Sequence, residues 1–154
     1  MIERLFPQPI DNAYRGYKAA LWLFALVVFM QTFQGVMVIF NGYSIAVSAD
    51  GIPLDTYAPA AAQTVVALFA LLGLSRLILS FLSVLVLVRY RSAIPFMFAV
   101  LVVELLAKQL ILRFIPIIRT GTTTGITVNL ILLALLILGL ALSLWRRGKP
   151  EAQS

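Results

Sequence analysis

The sequence predicts an all-α integral membrane protein: a four-helix bundle running up-down-up-down, with both termini cytoplasmic and a short extracytoplasmic loop between helices one and two. Three observations predict it. Four apolar runs are each long enough to cross a hydrocarbon core, which takes about 20 helical residues. The 154-residue chain is 62% hydrophobic and 12% charged, whereas soluble domains run at roughly 45–50% and 25%. Basic residues also gather at alternate ends of the runs, the bias that orients membrane helices.

The runs cover residues 19–40, 61–88, 93–114 and 126–145, and residues 41–58 form the one sizeable segment outside the membrane. Residues 1–154 are therefore expected to make a single four-span domain. Short connections make successive spans antiparallel. Arg4, Arg15 and Lys18 precede span one, Arg89 and Arg91 separate spans two and three, and Arg146, Arg147 and Lys149 follow span four. The opposite face carries only Arg113 and Arg119, with Asp50 and Asp55. Positive residues stay inside, which places both termini in the cytoplasm.

Aromatic anchors agree. Tyr14, Tyr17, Trp22, Tyr90 and Trp145 fall near the inner edge, and Tyr43, Tyr57 and Phe114 near the outer one. Asp11 has the chemistry to N-cap a first helix that begins before the membrane. Pro59 and Pro95 suit the first turns of helices two and three. Val47-Ser48-Ala49 offers small residues of the kind a signal peptidase cuts after. The apolar run before them exceeds the usual ~7–15 residues, so span one is expected to stay. In the outer loop, Tyr43, Ile45 and Val47 alternate with small or polar residues ahead of Asp50-Gly51. That pattern fits a small hairpin or an ordered lid over the outer face, and equally an irregular loop.

Ionisable groups are costly within a bilayer and persist there when paired, hydrated or useful. Span two carries Arg76, and span three carries Glu104, Lys108 and Gln109. Counted from the turn near Tyr90 at about 1.5 Å per residue, Arg76 and Glu104 both lie roughly 20 Å along their helices. Adjacent antiparallel helices then bring the two within side-chain reach. Arg76 shares a stripe with Gly73, Ser80 and Ser83, the spacing of an inward face. Gln31 and Gln34 of span one and Asn129 of span four fall at about the same depth. This layer reads either as a network that fixes helix register, since such hydrogen bonds contribute only about 0.6 kcal/mol each, or as a binding or translocation site. Its two bases against one acid favour an anionic group. Proton carriage by Glu104 is disfavoured, because flanking cations hold a carboxylate ionised.

Arg119, Thr120 and Gly121 lead into span four from outside, where hydroxyls cap a helix or backbone N–H groups with an arginine hold an anion such as a lipid headgroup. Arg113 and Asp55 are candidates to pair across the same surface, and Gly139 with Ser143 forms a small-residue contact on span four.

Function classes narrow by exclusion. The chain has no Cys and no His, which removes disulfides, thiol nucleophiles, imidazole relays and the usual zinc sites. No catalytic residue, cofactor or metal is expected, and an enzyme is the less favoured class. The net charge of +6 sits at membrane edges, so nucleic acid is not an expected partner. In size and four-span layout the chain is similar to glutathione-binding MAPEG enzymes, small multidrug exporters and the DoxX-like group, and the likeness stops there. Arg76 has no neighbouring Glu or Asn, and span one holds glutamines where the exporters place a working carboxylate. The expected function is therefore non-enzymatic: a small multi-pass protein whose buried, basic-leaning polar site binds a lipid or small anionic ligand. The alternatives are an oligomeric small-solute transporter or channel, and an accessory subunit. Expected partners are membrane lipid and a homo-oligomer or larger membrane complex, in a bacterial inner membrane.

Overall fold

The structure is a computed structural model that describes residues 11, 12, 14, 16–120 and 124–145. Among these lie five α-helices: α1 (Lys18–Phe40), α2 (Gly42–Ser48), α3 (Pro59–Arg89), α4 (Ile94–Phe114) and α5 (Thr124–Leu144). Four of them, all but α2, are long and apolar enough to cross a membrane, as in an integral membrane protein. They match the four apolar runs to within a few residues, because hydrophobic length and punctuation set their ends. Pro59 sits in the first turn of α3 and Pro95 in the first turn of α4, where a missing N–H costs nothing. Large side chains such as Trp22, Phe29, Phe81 and Ile118 point away from the protein, as lipid-facing residues do.

Two kinds of packing hold the helices. The first is an apolar core of Phe24 and Val27 from α1, Phe98 and Leu101 from α4, and Leu132 and Leu136 from α5. The Phe24 and Phe98 rings meet edge-on at 5.0 Å, an attractive arrangement of their quadrupoles. Phe98 also lies over Gly139, where its ring leaves no room for a Cβ. The small residue on α5 thus serves packing inside the chain. The second kind joins α1 to α3 through small residues. The inward positions of α3 are Gly73, Ser80 and Ser83. At the crossing, a Cβ on Gly73 would come within 2.9 Å of the Gly35 carbonyl oxygen, and one on Gly35 within 3.2 Å of the Gly73 carbonyl. Backbone meets backbone there, the close approach that small residues permit in membranes.

Helix α3 packs chiefly on α1, while α4 packs on α5, so α3 and α4 touch each other little despite being joined by a tight turn. A space opens between them.

The outer loop differs from a hairpin. No strand forms among the described residues; Ile45 N–H donates to the Asn41 carbonyl and restarts a helix over Gly42–Ser48. Gly42 sits against Val66 and Phe69 of α3, contact that outweighs the alternating pattern. A turn at Gly51, with φ of 68°, follows, and Ala46, Ile52 and Leu54 form a small separate core beneath the loop. Asp11 does not cap α1. Its backbone N–H donates to Ser92 Oγ at 2.9 Å, and Ser92 Oγ and N–H donate to its carbonyl. The segment before α1 is thereby pinned to the turn between α3 and α4, and α1 begins at Lys18 with no side-chain cap.

Candidate functional site

The space between α3 and α4 is a cavity of about 540 Å³. That falls within the roughly 300–1,000 Å³ typical of sites for one small molecule. Every long helix contributes a polar group to it: Gln34 from α1, Arg76 from α3, Lys108 and Gln109 from α4, and Asn129 from α5. The walls between them are apolar, including Phe33, Leu105 and Val128. One end is lined by Asp50 of the loop and by Arg119.

The polar layer read from the sequence is thus largely one lining, but its pairing differs from the expected one. Arg76 Nη1 donates to Gln34 Oε1 at 2.7 Å. Glu104 pairs with Lys108 one turn along α4, and its carboxylate acts on Arg76 through space, as does that of Asp50. The reason is the divergence of α3 from α4. Equal depth puts Arg76 and Glu104 level, while the Gly35–Gly73 crossing draws Arg76 towards α1 and its glutamine. The Glu104–Lys108 pair keeps the favourable acid-first order on its helix.

Gln31 stands apart from the cavity. It is 3% exposed, and its Oε1 has no hydrogen-bond partner, a condition shared by Ser80 Oγ on α3. Unpartnered oxygens buried like these are the places where ordered water enters membrane bundles.

The loop is fastened over the cavity by backbone bonds. Gly125 N–H donates to the Ala49 carbonyl and Thr120 N–H to the Gly51 carbonyl, both at 2.9 Å. Asp50 Oδ1 lies 2.8 Å from where a Cβ on Gly125 would stand, so glycine at the start of α5 is what lets the carboxylate approach. Burial pushes the Asp50 carboxyl up from its ordinary range, against the opposing pull of Arg119 and Arg76. A second cavity of about 400 Å³ adjoins the first and shares Asp50, Gln109, Arg119 and Asn129 with it, adding Arg113 and Ile126. Of the outer candidates, Arg119 therefore joins the cavity and Thr120 holds the loop, while Gly121 lies outside the described residues. Asp55 accepts a hydrogen bond from the Tyr43 hydroxyl and is not paired with Arg113.

Sequence reasoning missed Asp50 as a site residue. Its signal was its position, an acid at the membrane edge followed by a glycine, and depth counting along helices does not reach a loop. Among the described residues no three Asp or Glu side chains cluster as a metal cage requires. What the cavity can do chemically is hold an anionic or polar head against Arg76, Lys108 and Arg119 with hydrocarbon beside it. No protein family, curated protein or solved structure matched the chain.

Proposed function

We propose that this is a non-enzymatic membrane protein that binds an amphipathic anion in the cavity between α3 and α4. The observation that carries the reading is the convergence of Gln34, Arg76, Lys108, Gln109 and Asn129, from all four long helices, on one cavity with apolar walls. Charge supports it as well. Arg76, Lys108 and Arg119 outnumber Asp50 and Glu104, which leaves the site net positive, and fixed cations beside a low-dielectric wall attract anions strongly. An array that served register alone would be expected to close on itself rather than line a space.

The spans are placed up-down-up-down, with both termini in the cytoplasm and the 41–58 loop outside. The basic residues at the inner edge support this orientation, and the register in which Gly35 meets Gly73 while Gly42 meets Val66 supports the antiparallel run of α1 and α3. A cysteine label tests it, and the position must be chosen from the structure. Gly51 is a poor site, being buried with positive φ, whereas Ala58 and Asn12 are exposed. In intact cells, Ala58→Cys is expected to react with a membrane-impermeant maleimide and Asn12→Cys only after lysis. The reverse pattern inverts the topology.

Binding is tested by native mass spectrometry of the protein purified from its membrane in neutral detergent. The wild type is expected to carry anionic lipid or fatty acid, and Arg76→Gln to lose about ten-fold of it, as removal of one charge-assisted hydrogen bond implies. Equal retention by both proteins contradicts the assignment. Adding inorganic phosphate distinguishes the sources: displacement at millimolar phosphate identifies a free anion, and none identifies a headgroup with its chain.

A further inference from the structure

Among the described residues, Asp50 is the one carboxylate lining either cavity, and it lines both. It stands at the cationic end, with Arg119 from the segment before α5, Arg76 from α3, and Lys108, its partner Glu104 and Arg113 from α4 as the charged groups around it. Helices α1, α2 and α5 add no titratable side chain to either lining. No ion pair joins Asp50 to an arginine among the described residues, yet Arg119 and Arg76 both act on it electrostatically. It is held in place from its own backbone, through Ala49 and Gly51, and by the first turn of α5. The positive end of that helix dipole favours an anion there.

We propose that Asp50 is a built-in competitor for the ligand's anionic head, and that the ligand is a single-chain amphiphilic anion which must displace or neutralise it to bind. This rests on the binding reading above and adds the chemical class and the control. A cavity of about 540 Å³ holds one head and one chain; a diacyl lipid has to leave a chain outside. Two anions cannot share Arg119 and Arg76 without repulsion. Neutral Asp50 removes that repulsion.

A carboxyl raised above its usual value near 3.9 is protonated at higher pH than an exposed one. An anion that stays ionised therefore binds more tightly as pH falls through that raised range.

The test uses the full-length protein in neutral-lipid nanodiscs and lysophosphatidylglycerol, whose phosphodiester keeps its charge throughout. Wild-type affinity is expected to rise as pH falls from about 7.5, and Asp50→Asn to start about ten-fold tighter at pH 7.5 and stay flat. Glycerol phosphate, which has the head without the chain, is expected to bind far more weakly. If both proteins bind equally with the same pH slope, the competitor falls and the binding reading stands. If neither binds while both remain folded by thermal melting, the binding reading falls with it. Should Asp50→Asn not fold, a pH-independent wild type overturns the proposal by itself. Equal affinity for glycerol phosphate overturns the single-chain ligand.

Discussion

A Gly73→Leu protein is expected to lose the packing of α1 on α3 and about 3 kcal/mol or more of stability, at the upper end of what overpacking costs. Even one methyl group at this position meets the Gly35 carbonyl at 2.9 Å and the Ile39 backbone nitrogen at 3.2 Å. Those neighbours are backbone, so no side chain can swing aside to make room. Gly73→Ala is the more informative control, because alanine gains about 1 kcal/mol in intrinsic helix preference over glycine. A net loss in spite of that gain isolates the contact. Ala67 is exposed on the same helix, and Ala67→Leu is expected to change stability by less than about 0.5 kcal/mol. Unfolding in mixed micelles titrated with dodecyl sulfate reads all three. A Gly73→Leu protein as stable as the wild type places the crossing elsewhere and removes the cause given for the cavity.

The second large effect concerns the charges. Glu104→Ala strands Lys108, and breaking a fully buried pair costs about 3–5 kcal/mol. Here the side chains are 20% and 35% exposed, within a membrane-spanning helix where lipid or the cavity rather than bulk water borders them, so the expected loss is at or just below the lower end of that range, about 2–3 kcal/mol. In double-mutant cycles, Glu104→Ala with Lys108→Ala should couple by about 1 kcal/mol, and Arg76→Ala with Gln34→Ala by a similar amount, as hydrogen bonds to charged groups do. Glu104→Ala with Arg76→Ala should couple less than either. A dominant Glu104–Arg76 coupling means that α3 and α4 close on each other and the cavity does not exist.

These two experiments mark where the sequence is legible and where it stops. Hydrophobic length fixes four helices, and Pro59 and Pro95 mark the starts of two of them, because both are local properties. Depth is local as well: counting along helices puts Gln34, Arg76, Lys108 and Asn129 at one level, and all four line one cavity. Azimuth is only half local. The stripe of Gly73, Ser80 and Ser83 identifies the inward face of α3, but not which neighbour that face meets. Sequence adjacency pointed to α4, and the paired glycines chose α1, since Gly35 supplies a complementary notch that α4 does not have. The partner of Arg76 changed with that choice, from Glu104 to Gln34.

The loop was the least legible part. The alternation of Tyr43, Ile45 and Val47 suits a hairpin over so few residues, and the packing of Gly42 against Val66 and Phe69 of α3 decides for a helical turn. Asp50 could be placed over the cavity only once Gly125 was seen to admit it.

A single-chain anion is expected between α3 and α4 rather than on the outside of the bundle. Photo-crosslinking with a lysophosphatidylglycerol bearing a diazirine in its chain tests this directly. Adducts on Val38 and Leu105, which line the cavity, lost on competition with unlabelled lipid, are the predicted result. Adducts confined to outward residues such as Phe81 and Ile131, unaffected by competitor, would contradict it.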